Sequence, residues 1–101
     1  MKIFISQPMA NKTDEEIINE RNEIIQRLKN TYGENIEIID SLFTDQSDKY
    51  INPAVYYLGK SIQCLASADL AYFAKGWNSA RGCKIEYIVA SEYNINKIIE
   101  Y

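Results

Sequence analysis

The stretch "ADLAYFAKGWNSARGCKIEYIVA", residues 68 to 90, decides the fold of this chain. Its first part, residues 68–74, is an apolar run that predicts the third strand of the chain. The turn "KGWNSARG" follows, and a helix over about residues 80–93 is then predicted to bury Ile85, Ile88 and Val89. A buried strand that leads through a short turn into a helix is the repeating unit of proteins with parallel sheets.

The same unit recurs on both sides of this stretch. Strands are predicted at "KIFIS" (2–6), "NIEIIDS" (35–41) and "NKIIEY" (96–101). The capping box "TDEE" (13–16) starts a first helix that ends near Gly33. Asn52 and Pro53 start a second helix that runs to about Ala66 after the polar loop 42–52. The residues expected to face the core are Ile17, Ile18, Ile24, Ile25 and Leu28 in the first helix and Val55, Leu58, Ile62 and Leu65 in the second.

The resulting order β-α-β-α-β-α-β predicts one α/β domain over residues 1–101. Strands that alternate with helices form parallel sheets with right-handed crossovers. We therefore expect a small Rossmann- or flavodoxin-like fold of three layers, with a four-stranded parallel sheet in the middle.

Composition excludes several classes of function. The formal charge of −3 argues against a nucleic acid polymer as partner, because such binding needs a basic surface. No apolar run approaches a membrane span, and "MKIFISQP" is too short for a signal peptide, so a cytoplasmic protein is expected. We expect Cys64 and Cys83 to be unpaired. The chain has no histidine, so common zinc patterns are absent, no metal or cofactor is expected, and acid–base chemistry falls to carboxylates, tyrosine or lysine.

Two loops are expected to form a small-molecule site, because parallel sheets bind ligands beyond the carboxyl ends of their strands. The first is "SQPMANKT" (6–13), which offers Ser6, Gln7, Pro8, Met9 and free backbone N–H groups at a helix start. The second is "AKGWNSARG" (74–82), in which the residues of interest are Gly76, Trp77, Asn78, Arg81 and Gly82. Its N–H groups and Arg81 suit a phosphate. Trp77 either stacks on a nucleobase or covers the edge of the sheet.

Three further residues complete the candidate site or are set aside from it. Tyr57 and Ser61 are i,i+4 partners in "VYYLGKS" and are expected to line a pocket. Asp69 opens the third strand, so it lies at the opposite, amino end of the sheet.

Glu86 is the candidate reactive group. It lies in the second turn of the third predicted helix, where the helix dipole stabilises an anion. Cys83 and Ala90 share its face, which puts the carboxylate on the rim of the buried stripe. The alternative interpretation is a surface glutamate that merely favours a helix start.

Three segments together give the chain a family resemblance. "IFISQPMANKTDEEI", "YLGKSI" and "ADLAYFAKGWNSARGCKIEYIVA" resemble the nucleoside 2-deoxyribosyltransferase-like superfamily, and in particular its small DUF4406-type members from bacteria and phages. The resemblance covers nearly the whole chain. The spacing from Gly82 to Glu86, after a strand and at the start of a helix, is its most specific part.

The resemblance implies a nucleophilic role for Glu86. In characterised relatives this glutamate attacks C1′ of the sugar and forms a glycosyl-enzyme intermediate, which a second base or water resolves. Those relatives also carry an aspartate two residues before the motif glycine and another on the preceding helix. Here Ala80 and Ser61 occupy these positions, and Ile88 replaces a glycine after the nucleophile. Only Tyr57 or a water then remains to protonate the leaving base.

Two functions are therefore expected as alternatives. The first is N-glycosidic cleavage or deoxyribosyl transfer on a nucleoside or nucleotide, with Glu86 as nucleophile. The second is binding of a nucleotide or an ADP-ribose-type molecule without turnover, as in a sensor or sponge related to phage defence. The resemblance also implies a homo-oligomer, dimer or larger, because sites in this superfamily are often completed by a neighbouring subunit.

Overall fold

The computed structural model describes residues 1–43 and 49–101 of the chain. Within these residues, four strands alternate with three helices, and a short 3₁₀ turn at Trp77–Ser79 precedes the last helix. The strands are β1 (Lys2–Ser6), β2 (Glu37–Ile38), β3 (Leu70–Phe73) and β4 (Asn96–Ile99), and the helices are α1 (Asp14–Tyr32), α2 (Pro53–Leu65) and α3 (Arg81–Glu92). Part of the predicted loop 42–52 lies outside the described residues.

The strands form one parallel sheet in the order β2-β1-β3-β4, which confirms the predicted α/β architecture. β1 and β3 are neighbours at the centre, with Ile3 opposite Leu70 and Ser6 opposite Phe73. The chain moves outward from β1 to β2 on one side and from β3 to β4 on the other. The point between β1 and β3 is therefore a topological switch point, where open α/β sheets bind ligands.

Strand β2 is shorter than the predicted strand 35–41. Only Glu37–Ile38 form a regular strand, although the Ile39 N–H still donates to the Ile3 carbonyl at 2.9 Å. The Ile39 carbonyl instead accepts a hydrogen bond from the Arg21 side chain at 3.2 Å. The Arg21 side chain of α1 thus supplies the hydrogen bond that a neighbouring strand would otherwise donate, and the chain leaves the sheet after Ile39.

The sheet lies between two helical layers. Successive side chains of a strand point to opposite faces, so Ile3 and Ile5 pack with Ile24 and Leu28 of α1. Phe4 faces the other layer, in a cluster that includes Leu65 of α2, Phe73 of β3 and Ala90 of α3. Both faces of the sheet are covered, as all-parallel sheets require. None of the described helices is long and apolar enough to cross a membrane.

The predicted helix starts are confirmed. The Thr13 hydroxyl accepts from the Glu16 N–H at 3.1 Å, and the Glu16 carboxylate accepts from the Thr13 N–H at 2.9 Å, which completes the capping box. The Asn52 side chain accepts from the Val55 N–H at 3.1 Å, with Pro53 in the first helical position. Gly33 ends α1 with a φ of 100°, a conformation that favours glycine.

The prediction of a core position is wrong for three residues. Ile18, Val55 and Ile88 are 48%, 60% and 57% exposed, respectively. In α3 the buried residues are Cys83, Glu86 and Ala90, while Ile85 and Val89 are only partly buried. Both stripes of α3 have helical spacing. Ala90 packs in the Phe4–Phe73 cluster, with Tyr87 and Val89 against it, while Glu86 bonds to Ser6 at the end of β1. Ile88 is left on the outer side of the helix.

Candidate functional site

The two predicted site loops meet at the carboxyl edge of the sheet. Because β1 and β3 are neighbours, the β1–α1 loop and the β3–α3 loop leave the sheet side by side. Gly76 has a φ of 88°, and a Cβ placed on it would lie 3.6 Å from Pro8 Cγ of the facing loop. A Cβ would thus make only an ordinary contact there, and the left-handed backbone alone is the reason that glycine suits this position.

Glu86 lies buried beneath these loops, with only 7% of the residue exposed. The Ser6 hydroxyl, at the end of β1, donates to Glu86 Oε1 at 2.6 Å. Ser61 of α2 lies near enough to the Glu86 carboxylate to favour its anion, and it lines the same two cavities. Residues of β1 and α2 thus surround a carboxylate that α3 carries. This burial excludes the alternative of a plain surface glutamate.

Burial controls the ionisation of this site. The pKa of Glu86 is raised above its usual range, chiefly because burial disfavours the anion, while the bonds from Ser6 and Ser61 partly offset the rise. The pKa of Cys83 is raised to about 11, again chiefly by burial, with the nearby Glu86 charge adding to the rise. The Cys83 thiol therefore stays neutral at physiological pH, which makes it a poor nucleophile.

Three adjoining cavities open around Ser61. The central cavity, of about 440 Å³, lies between the β1–α1 loop and the start of α3. The α2–α3 cavity, of about 470 Å³, lies between those helices, and the α1–α2 cavity, of about 560 Å³, lies on the other side of α2. Ser61 lines all three cavities, and Glu86 lines the central and α2–α3 cavities. Their sizes fall in the range of small-molecule pockets.

Most of the predicted site residues line these cavities. Gln7, Pro8 and Met9 line the central cavity, and Arg81 and Gly82 line both the central and the α2–α3 cavities. Tyr57 lines the α1–α2 and α2–α3 cavities.

Gln7 is also fixed from behind by α1. Its amide nitrogen donates to the Ile17 carbonyl and to the Glu20 carboxylate, both at 2.8 Å. Because both partners are acceptors, the orientation of the amide is determined by its hydrogen bonds.

Gly76, Trp77 and Asn78 do not line any of the three cavities. The Trp77 ring stacks on Tyr87 with centroids 4.5 Å apart and meets Phe73 edge to face at 5.8 Å. This position matches the alternative in which Trp77 covers the sheet. Asp69 accepts from the Lys2 N–H at 2.7 Å, at the amino end of the sheet and away from the site.

Sequence reasoning missed Asp14, Arg21 and Ser41. Asp14 lines the α1–α2 cavity, and Ser41 lines both that cavity and the central one. Ser41 is the last residue of a predicted strand, as Ser6 is, so the same positional rule could have identified it. Arg21 falls within the apolar spacing of α1, between Ile17 and Ile24, and a charge in such a stripe is itself a signal.

Neither a metal-binding cluster nor a similarity to known proteins indicates which ligand the site binds. No group of three or more His, Cys, Asp or Glu side chains in residues 1–43 and 49–101 is arranged to hold a metal ion. The sequence matches no protein-family model, no curated protein and no solved structure significantly.

Proposed function

We propose that this protein cleaves or transfers the N-glycosidic bond of a small nucleoside or nucleotide, with Glu86 as the nucleophile. The observation that carries the proposal is the buried Glu86 carboxylate, which accepts a hydrogen bond from Ser6 and lines two cavities at the switch point of the sheet. A buried carboxyl group without a functional role would be an unfavourable way to fill this position. The resemblance to the nucleoside 2-deoxyribosyltransferase-like superfamily supports the same chemistry.

The proposed reaction has two displacement steps. Glu86 attacks C1′ of the sugar, the C1′–N bond breaks, and the leaving base takes a proton from Tyr57 or a water. A second base or a water then attacks C1′ and releases the Glu86 carboxylate, and a proton is lost from that incoming group. The hydrogen bond from Ser6 orients the Glu86 carboxylate for this attack.

The alternative function is binding of a nucleotide or ADP-ribose-type molecule without turnover. The observation that favours it is the lack of a second carboxylate beside Glu86. Among the described residues, Glu86 is the only Asp or Glu that lines the central and α2–α3 cavities, and Ala80 and Ser61 stand where assisting acids are expected. Glu86 would then accept a hydrogen bond from a sugar hydroxyl.

Substitution of Glu86 by glutamine separates these two functions. If the protein is an enzyme, Glu86→Gln should reduce base release from a panel of nucleosides and nucleotides to background, because an amide cannot attack C1′, while ligand binding persists. Chromatography of overnight reactions measures the free base. Glu92→Gln, on the exposed last turn of the same helix, is the matched control.

Each result of this experiment assigns one function. Base release by Glu86→Gln at the wild-type rate would rule out the nucleophile. No base release by the wild type, together with altered ligand affinity in Glu86→Gln, would favour the binder.

We further propose that the protein is cytoplasmic and that its ligand is a small molecule. We also propose that it forms a homo-oligomer. The exposed apolar side chains on the outer layer support the assembly. Val55, on α2, is 60% exposed, Ile88, on α3, is 57% exposed, and Ile51, just before α2, is fully exposed.

A further inference from the structure

Arg21 is a buried cation that the proposed reaction does not use. The residue is 6% exposed, and its Nη2 donates to the Ile39 carbonyl at 3.2 Å and to Ser41 Oγ at 3.1 Å. Its Nη1 is enclosed and has no hydrogen-bond partner in the structure as described. Burying a charge with an unused donor is costly unless something compensates it.

Carboxylates compensate this charge only weakly within the described residues. Arg21 takes part in none of the ion pairs found there. Asp40 acts on it through space, but its side chain is exposed and accepts from the Leu42 N–H at 3.2 Å. The pKa of Arg21 is lowered because burial outweighs the effect of Asp40, although the guanidinium remains charged at neutral pH.

The hydrogen bond from Arg21 fixes the chemical role of Ser41. A serine oxygen that accepts from a guanidinium still has its own proton to donate. Ser41 makes no other side-chain hydrogen bond in the described part of the chain, and it lines both the central and the α1–α2 cavities. The Ser41 hydroxyl is therefore a hydrogen-bond donor at the junction of two cavities, with a positive charge directly behind it.

We propose that Ser41, backed by the Arg21 guanidinium, binds a tetrahedral oxyanion of the phosphate type at this junction. An anion oxygen bonded to Ser41 would lie within roughly 6 Å of the guanidinium, given normal hydrogen-bond lengths. Its negative charge would offset the buried cation, and charge-assisted hydrogen bonds are the stronger kind. The site does not depend on whether Glu86 is reactive, and it gives a phosphorylated ligand a fixed end.

This site competes with the anion site predicted at Arg81. Arg81 is exposed at the first position of α3, so solvent screens its charge. Arg21 is buried and already held in place by two hydrogen bonds, so little conformational freedom remains to be lost on binding.

Titration of the full chain with inorganic phosphate tests the proposal. Calorimetry at ionic strength held constant with sodium chloride should show binding by the wild type. Ser41→Ala should weaken phosphate affinity tenfold or more, about 1.4 kcal/mol, whereas Ser41→Thr restores the hydroxyl and most of the affinity. Arg21→Met should weaken it as well. Ser91→Ala, an exposed serine in α3, should bind as the wild type does.

Several results would overturn the proposal. These are a wild type that does not bind phosphate, a Ser41→Ala variant with wild-type affinity, and loss of binding in Arg81→Ala while Ser41→Ala binds normally. Acetate that binds as tightly as phosphate would show a carboxylate site instead of a tetrahedral one. If Arg21→Met does not fold, Ser41→Ala decides the question alone, because it leaves Arg21 in place.

Discussion

Two opposing effects determine the protonation state of Glu86. Burial favours its neutral form, and the hydroxyls of Ser6 and Ser61 favour the anion. Burial is the larger effect, so the folded protein holds a proton on Glu86 at pH values where the unfolded chain has released it. The reactive group is therefore expected to reduce the stability of the fold at neutral pH.

Glu86→Gln should accordingly stabilise the protein at neutral pH. Between the ordinary glutamate value of 4.5 and the raised folded pKa, the native state binds more protons than the unfolded state, so wild-type stability falls as pH rises. The amide carries no charge, and we expect the variant to be more stable by about 1 kcal/mol at pH 7.

Urea unfolding from pH 4 to pH 8 measures this difference in the free energy of unfolding. The gap between variant and wild type should close as pH falls toward 4.5. A gap that stays constant with pH, or a wild type that is more stable at pH 7, would contradict the argument.

Single residues were predictable where one chemical rule decides their place. Glu86 was found because it follows a glycine at a helix start, and Ser6 because it ends a buried strand. Arg21 was missed because its role depends on where the Ile39 carbonyl and Ser41 come to lie, and these are about 20 residues away in sequence. Trp77 has two chemically reasonable environments, and only the packing of Tyr87 distinguishes them.

At the scale of elements, helix ends were easier to predict than helix faces. The capping box at Thr13 and the Asn52 cap are local hydrogen-bond patterns that a sequence contains in full. Which face of α3 is buried depends on long-range contacts. Ile85 and Ile88 form one set at helical spacing, and Cys83, Glu86 and Ala90 form another, so spacing alone does not choose between them. The choice depends on contacts far away in sequence, such as those of Ala90 with the cluster around Phe73 and of Glu86 with Ser6, and no local rule indicates them.

The two helices that meet at Glu86 make a gain of activity testable. Ser61 and Glu86 line the same two cavities, so Ser61→Asp would place a second carboxylate near Glu86, and like charges would raise the pKa of one partner. Ala80 is the N-cap of α3 without a side-chain cap, so Ala80→Asp also gains a capping bond. We expect the double variant to release free base at least about tenfold faster than the wild type, as an added general acid can provide.

Chromatographic rates with the same nucleotide panel check this expectation. The gain should vanish when Glu86→Gln is added to the double variant. A double variant that folds, binds ligand and shows no gain would argue against the reaction proposed for Glu86.

At the scale of the whole molecule, the strand–helix alternation was sufficient to predict the parallel sheet. Because β1 and β3 are adjacent in that sheet, the two site loops lie together.

Oligomeric state is a different kind of property, because it depends on side chains that one chain leaves exposed. Ile88, predicted to be buried, is 57% exposed on the outer layer, on the same helix as Ile85 of the α2–α3 cavity.

We expect the protein to be a dimer or larger oligomer that uses this outer layer. Sedimentation velocity at tens of micromolar should show it, and Ile88→Glu should shift the distribution toward monomer because the charge would be buried at the interface. Tyr32→Glu, at the end of α1 in the opposite layer, is the matched control and should leave the distribution unchanged. A wild type that sediments only as a monomer would contradict the prediction.

The strand order has a consequence for synthesis of the chain on the ribosome. β1 is made first, but both of its neighbours, β2 and β3, come later in sequence, and β3 ends only at Phe73. At roughly 5 to 20 residues per second, about 3 to 14 s pass between synthesis of the apolar strand "KIFIS" and synthesis of β3, its neighbour at the centre of the sheet. During that interval α1, which follows directly, can already cover Ile3 and Ile5, so we expect α1 to shield this apolar segment in the nascent chain.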